Sequence, residues 1–309
     1  MRRLIALLTV VLTASGLLAT ANGEAKTPRL IEFSRFTIFP VKVDGLRITE
    51  LSGLAWDEDE QLLYAVSDKG NVFHFRLKLE GNTIVAIEPV FAAPLADTAE
   101  KSRRSRFNAE GLAVLNANNG KSGDTELVVA VEGGEQRIIR FSPKGAMLSG
   151  IAVPPPLADR RNYRAANKGL ESVAYHAEYG LITAPELPLE NQPKNLHTVY
   201  ASDRHWSFVA HPVKDSRLKA LEALPDGNLL VLERSFTGST KALVVSLRYV
   251  NLAARPVDGV CAVEDLAVFS KSLDNFEGLT HIGNHRFLIV SDHGQEDLQD
   301  TTFMLFTLQ

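Results

Sequence analysis

Beyond the first two dozen residues the chain runs as short apolar bursts separated by polar breaks. "LLYAV", "NVFHFRL", "ELVVAV", "RIIRF", "NLLVLE", "ALVVSL" and "RFLIVS" are β-branched, aromatic or leucine-rich, and each is bounded by Gly, Asp, Asn or Pro. Helical periodicity is hard to find among them. The pattern predicts an all-β protein built of many short strands.

Aligned on itself, the chain yields five related units: "LSGLAW" with "YAVSD", "AEGLAV" with "VVAVEGG", "LESVAY" with "LITAPE", "LEALPDGNLLVLE", and "FEGLTHIGNHRFLIVSD". Their lead positions, Ser52, Glu110, Glu171, Glu222 and Glu277, are 58, 61, 51 and 55 residues apart. Steps of this length suit a four-stranded propeller blade and a loop, whereas a β-helix repeats much sooner and a sandwich has no reason to repeat a carboxylate. The expected fold is therefore a β-propeller. Counting lead motifs favours five blades, and six remain open if "RLIEFSRFTIFPVKV" (29–43) belongs to a blade whose motif has decayed. That segment has a second use. It can complete the last blade and cover the sheet edge that "TTFMLFTL" would otherwise leave open.

Two stretches interrupt the repeat, "ADTAEKSRRSR" (96–106) and "PPPLADRRNYRAANKG" (154–169). Both precede a lead motif, which places them as loops at the face where the lead carboxylates begin. Neither has the length or uniformity of a linker, so residues 22–309 are read as one propeller domain.

The N-terminus changes the picture of where the chain works. Arg2 and Arg3, an apolar run from Leu4 to Leu18, and then Ala19, Thr20 and Ala21 follow the order of a signal peptide over residues 1–21. The run is shorter than the about 20 residues that span a bilayer, so no stable membrane anchor is expected, and a periplasmic or secreted monomer is. Cleavage would remove Arg2 and Arg3 and move the formal charge from −4 to −6. Such a balance, with basic runs only local, argues against nucleic-acid binding. Cys261 is the sole cysteine, so no disulfide within the chain supports the fold and a large apolar core must.

Candidate chemistry follows from the repeat. The innermost strand of each propeller blade lines the central channel, so the lead residues converge there from distant parts of the sequence. A second acidic set, Asp68, Glu132, Glu186, Glu233 and Asp292, closes the following strand of each unit. Converging carboxylates need protons, arginines or a cation to offset their charge. Ca²⁺ takes six to eight oxygens in flexible geometry, and Glu110, Glu171, Glu277, Glu222, Asp292 and Asp68 are its candidate ligands, with Asn108, Asn167 and Asn275 close by. Zinc lacks compact His or Cys spacing. Arg106, Arg161 and Arg164, in the two interrupting loops, are candidate contacts for a phosphoester. Against these stand plainer roles: glutamates tying blade to blade, "SDKG" and "SDHG" as strand-ending turns, Arg234 as an ion-pair partner. No Gly-x-Ser-x-Gly occurs, so a serine esterase is not expected.

"LSGLAWD" (51–57), "FNAEGLAV" (107–114), "GLESVAY" (169–175) and above all "DNFEGLTHIGNHRFLIVSDHG" (274–294) resemble the family described as esterase-like activity of phytase, from about Leu51 to the C-terminus. Glu110, Glu171 and Glu277 match its motif glutamates. Ser52 and the glycine-less segment around Glu222 depart from it, which implies a lopsided site. The resemblance implies an exported hydrolase of small-molecule esters or phosphoesters in which bound Ca²⁺ polarises the substrate and activates water. Two other readings stay open: a gluconolactonase-like lactone hydrolase, and a non-catalytic propeller that binds or scaffolds.

Overall fold

The computed structural model describes residues 27–97, 107–133, 135–165, 167–236, 243–252, 259–272, 274–292 and 300–309. Residues 1–21, where the signal peptide is expected, lie outside them. The chain opens with β1 (Leu30–Ile38), then a hairpin of β2 (Lys42–Val43) and β3 (Leu46–Arg47). The first blade is β4 (Leu51–Asp57), β5 (Leu62–Ser67), β6 (Asn71–Glu80) and β7 (Thr83–Pro94). The second is β8 (Asn108–Leu115), β9 (Glu126–Glu132), β10 (Arg137–Phe141) and β11 (Met147–Ile151). A short helix α1 (Pro155–Ala158) and a 3-10 turn (Arg160–Asn162) lead to the third: β12 (Leu170–His176), β13 (Gly180–Pro185), β14 (Leu196–Tyr200) and β15 (His205–Val209). The fourth contains β16 (Arg217–Ala223), β17 (Leu229–Phe236), β18 (Leu243–Val250) and, after β19 (Val260–Cys261), β20 (Val263–Ser272). The fifth is β21 (Asn275–His281), β22 (Arg286–Asp292) and β23 (Thr301–Leu308), with β1 as its outer strand.

That last pairing decides the blade number. β1 runs antiparallel to β23, with Phe33 opposite Phe306 and Phe36 opposite Phe303, so residues 30–38 complete the fifth blade instead of founding a sixth. The first and last strands close the ring, and every residue of β23 is buried.

Five apolar clusters hold the ring together, one in each seam between neighbouring blades. Leu54, Phe73 and Phe75 meet Leu288 and Phe303 in the seam that joins the first blade to the fifth. The others join the fourth and fifth, third and fourth, first and second, and second and third blades. The inner strands touch in the cyclic order β4, β8, β12, β16, β21 and back to β4. One crossing is not in the repeat: β19 leaves the fourth blade and pairs in parallel with β15 of the third, burying Cys261.

Each inner strand carries a β-bulge one or two residues after its start, and this feature positions the site. The register shifts fall between Leu51 and Gly53, Ala109 and Gly111, Leu170 and Ser172, Leu218 and Ala220, and Phe276 and Gly278. The skipped residues are Ser52, Glu110, Glu171, Lys219 and Glu277. A bulge leaves one residue out of the pairing and re-aims its side chain. A small residue follows each bulge because inner strands approach closely there. A Cβ at Gly53 would lie 2.7 Å from the Leu112 nitrogen, and one at Gly111 would lie 2.6 Å from the Ser172 Cα.

Candidate functional site

Glu110, Glu171 and Glu277, distant in sequence, present carboxylate oxygens that all lie within 4.8 Å of one another at one mouth of the channel. Each is almost fully buried. The fourth ring position, assigned to Glu222 in the sequence, belongs to Lys219. Its ammonium contacts Glu171, lies 2.9 Å from Glu277 Oε1 and 3.6 Å from Glu186 Oε1. Arg234 donates to Glu277 Oε1 at 2.8 Å, the ion-pair role expected of it. Ser52 fills the fifth position.

Two motif registers stand side by side in the sequence, since Leu218-Lys219-Ala220 and Leu221-Glu222-Ala223 both read as apolar, lead and small. One signal separates them. Glu222 stands only 11 residues before Glu233, whereas Lys219 stands 14 before it, close to the spacing of 15 and 16 in the third, fifth and first units. Glu222 aligns instead with Ala55, Ala113, Ala174 and Thr280. It lines the opposite half of the channel, a cavity of about 910 Å³ that also takes in Trp56, Tyr175 and His281. Burial pushes its carboxyl up to about 8, partly countered by the backbone N–H of His281. Between the two halves, the small residues after the bulges narrow the channel to a void of about 10 Å³, at the limit of one water.

Around the ring the second acidic set ties blade to blade. Glu132 accepts from Gly169 N at 2.6 Å and from Asn108 Nδ2 at 3.0 Å, joining the second blade to the third. Glu186 receives Lys168 at 2.8 Å and Arg217 at 3.2 Å. Glu233, fully buried, accepts from His211 N, Ser216 Oγ and Arg248. Asp68 stands beside Glu50 and Asp292, and Asn275 links Asp292 to the ring by donating also to Glu277 Oε1, but neither aspartate joins the three-glutamate group. Burial together with Glu50 pushes Asp68 up to about 8. Of the arginines, Arg164 donates to the carbonyls of Pro188, Leu189 and Gln192, and Arg161 forks onto Asp159 in its own turn. Lys168, near the end of the same loop, reaches Glu186, which Lys219 also approaches. Arg106 lies outside the described residues.

The ring's protonation is uneven. Burial raises Glu110 well above the ordinary carboxyl range, with Glu171 adding repulsion; it has no hydrogen bond or ion pair among the described residues. Burial lifts Glu171 to about 8 despite Lys219. Burial also works to raise Glu277, but Lys219 and Arg234 outweigh it and hold the group below its usual value. Lys219 loses hydration by burial, yet Glu171 and Glu277 hold it firmly charged.

These donors meet the Ca²⁺ expectation only in part. Oxygens across a Ca²⁺ ion, bonded at about 2.4 Å each, lie about 4.8 Å apart, so the spacing suits the ion. The occupant does not. Charges of +2 and +1 about 4 Å apart repel by roughly 8 kcal/mol at an effective dielectric near 20, and Lys219 already stands among the would-be ligands. The ring as built does not fit a resident Ca²⁺.

A closed five-bladed ring whose channel mouth gathers carboxylates and a lysine defines a β-propeller with an axial polar site. The chain matches the phytase-like family, described as esterase-like activity of phytase, over residues 47–294, and it belongs to that family. Among curated proteins none matches. Among solved structures it is similar to the PQQ-bound aldose sugar dehydrogenase of Streptomyces coelicolor. The identity is 10%, 90% of this chain and 99% of that one are covered, and the TM-score is 0.46. The Dos1 propeller is similar at 8% identity, 83% and 68% coverage and a TM-score of 0.36.

Proposed function

We propose that the protein is a hydrolase of small-molecule esters or phosphoesters whose reaction centre is the ring of Glu110, Glu171, Lys219 and Glu277 with Arg234. One observation carries the reading: two carboxyls of unlike environment stand together beside two buried cations. Glu110 is unpartnered and held neutral, which suits a general acid, while Glu171 is held by an ammonium and titrates near neutrality, which suits a general base. Glu171 takes a proton from water as its oxygen adds to the carbonyl carbon or phosphorus. Lys219 and Arg234, anchored by Glu277, face the negative charge that develops on the substrate oxygens. Glu110 then gives its proton to the departing alkoxide. The order of residues 1–21 supports work outside the cytoplasm.

The test is turnover by the chain from Asn22 onward against aryl esters, phosphate monoesters and lactones. Glu171→Gln and Glu110→Gln are each expected to lower kcat/KM by about 10² to 10⁴ on the favoured class, with folding unchanged by circular dichroism. Equal turnover by parent and variants would remove the ring from the chemistry. A preference for lactones would move the reading to lactone opening. No turnover on any class would favour the blade-tying role that Glu132 and Glu186 already support.

A further inference from the structure

We propose that the ammonium of Lys219 is the resident cation of the channel mouth, standing where Glu110, Glu171 and Glu277 would otherwise gather a divalent ion, so the native ring holds none. The inference concerns occupancy and stands whether or not the ring hydrolyses anything.

The first support is position. Lys219 is the bulge residue of β16, as Glu110, Glu171 and Glu277 are of β8, β12 and β21, so the fold aims its side chain where theirs are aimed. A lysine in place of a fourth glutamate changes the ring by two charges. The second support is balance. Three carboxylates, Glu171, Glu186 and Glu277, meet four cations, Lys168, Arg217, Lys219 and Arg234, through the ion pairs already described, and Glu110 stands beside them with no ion pair among the described residues. A divalent ion entering this set would add positive charge where cations already outnumber the paired carboxylates. The third support is confinement. Lys219 is 5% exposed, and the neck beneath it holds only about 10 Å³ between Ser52, Gly111, Ser172 and Gly278. The ammonium has no room to retreat down the channel, and Arg234 flanks it on Glu277.

The oxygens of the three glutamates nonetheless keep a spacing that suits Ca²⁺. Removing the lysine charge should therefore create a site that the native protein lacks. The experiment is calorimetric titration of CaCl₂ into the chelator-treated mature chain, with thermal melts at each concentration, for the native protein, Lys219→Met and Lys219→Met/Glu110→Gln. The native protein is expected to give no saturable heat from the ring and no rise in Tm. Lys219→Met is expected to bind Ca²⁺ about tenfold or more tighter and to gain Tm with the ion, and Glu110→Gln should reverse both gains.

Saturable Ca²⁺ binding by the native protein that Glu110→Gln abolishes would overturn the inference. So would a folded Lys219→Met that binds Ca²⁺ no better than the native chain. If Lys219→Met folds only with Ca²⁺ present, the inference is supported. If it does not fold at all, the native titration with and without Glu110→Gln decides alone. Heat that survives Glu110→Gln arises away from the ring and agrees with the inference. None of these readouts uses turnover, so they fail or succeed separately from the hydrolase reading.

Discussion

A methyl group at position 111 has nowhere to go. The Cβ of an alanine there would press against Ser172 Cα at 2.6 Å and Val173 N at 2.7 Å, and both are backbone atoms of the next inner strand. Gly53 and Gly278 make similar approaches, the latter to Leu54 and Val290. The glycine of the repeated Glu-Gly pair is thus a packing residue. It sets how closely two blades approach and how narrow the channel is. Gly111→Ala is expected to destabilise the fold by about 1–3 kcal/mol, read as a lower urea midpoint with unchanged slope. An unchanged midpoint would mean that the neck can widen without cost. Glu110, Glu171 and Glu277 were legible in sequence because an apolar, acidic and small triplet recurs. Lys219 was not, because the triplet at Glu222 follows directly after its own and carries the expected acid. A bulge is a matter of pairing between strands, and a single strand's letters do not display it.

Strands repeat this lesson at larger scale. The bulges place ring residues by register: the partner of Leu218 is Glu233 and the partner of Ala220 is Leu232, so Lys219 is left to point on its own. The two outermost elements do a different task. β1 is mostly exposed and alternates between exposed and more buried residues only from Ser34 onward, as suits an outer strand, while β23 is buried throughout. Removing residues up to Ile38 would strip the cover from "TTFMLFTL" and weaken the two seams that Phe303 and Phe306 fill on either side of the fifth blade. Such a truncation is expected to lose the cooperative melt and elute as aggregate in size-exclusion chromatography. A monomer with native Tm would show that closure by β1 contributes little. The pattern of apolar bursts made β1 legible as a strand, and its partner was one of two choices open in the sequence. β19 was not foreseen, since two residues are too few to leave a pattern and their parallel partner lies in another blade.

At the scale of the whole molecule, buried titrating groups set a pH optimum. Burial is the leading cause that lifts Asp68, Glu171 and Glu222 to about 8 and Glu110 well above its usual value. In the folded state these groups keep protons that the unfolded chain releases near 4.5 for Glu and 3.8 for Asp. Stability from them therefore starts to fall as pH rises past about 4 to 5 and is fully lost above about 8. Burial lowers His74, His197 and His281, so stability from those residues grows as pH rises to about 6.5. Glu277 and Glu186, held low by Lys219 and its neighbours, give up their contribution only below the usual carboxyl range. Tm is expected to peak near pH 4 to 5, because above it the four carboxyls outweigh the three histidines, and to fall by about 3 °C or more by pH 9, the response to somewhat over 1 kcal/mol in a chain of this size. A flat profile from pH 6 to 9 would mean that the ring carboxyls ionise without cost.

The sequence by itself determined the strands, the propeller, the family and three of the ring's acids. Those follow from local alternation and from a motif that recurs within one chain, and both survive being read in one dimension. Only the tertiary structure decided that β1 closes the fifth blade, that Glu222 looks into the opposite half of the channel, and that Lys219 stands among the acids. The reason is physical: which side chains share a buried volume depends on pairing register and ring closure, and charge balance is a property of that volume. A glutamate and a lysine three residues apart look interchangeable along the chain. Across the bulge of β16, one faces the ring and the other leaves it.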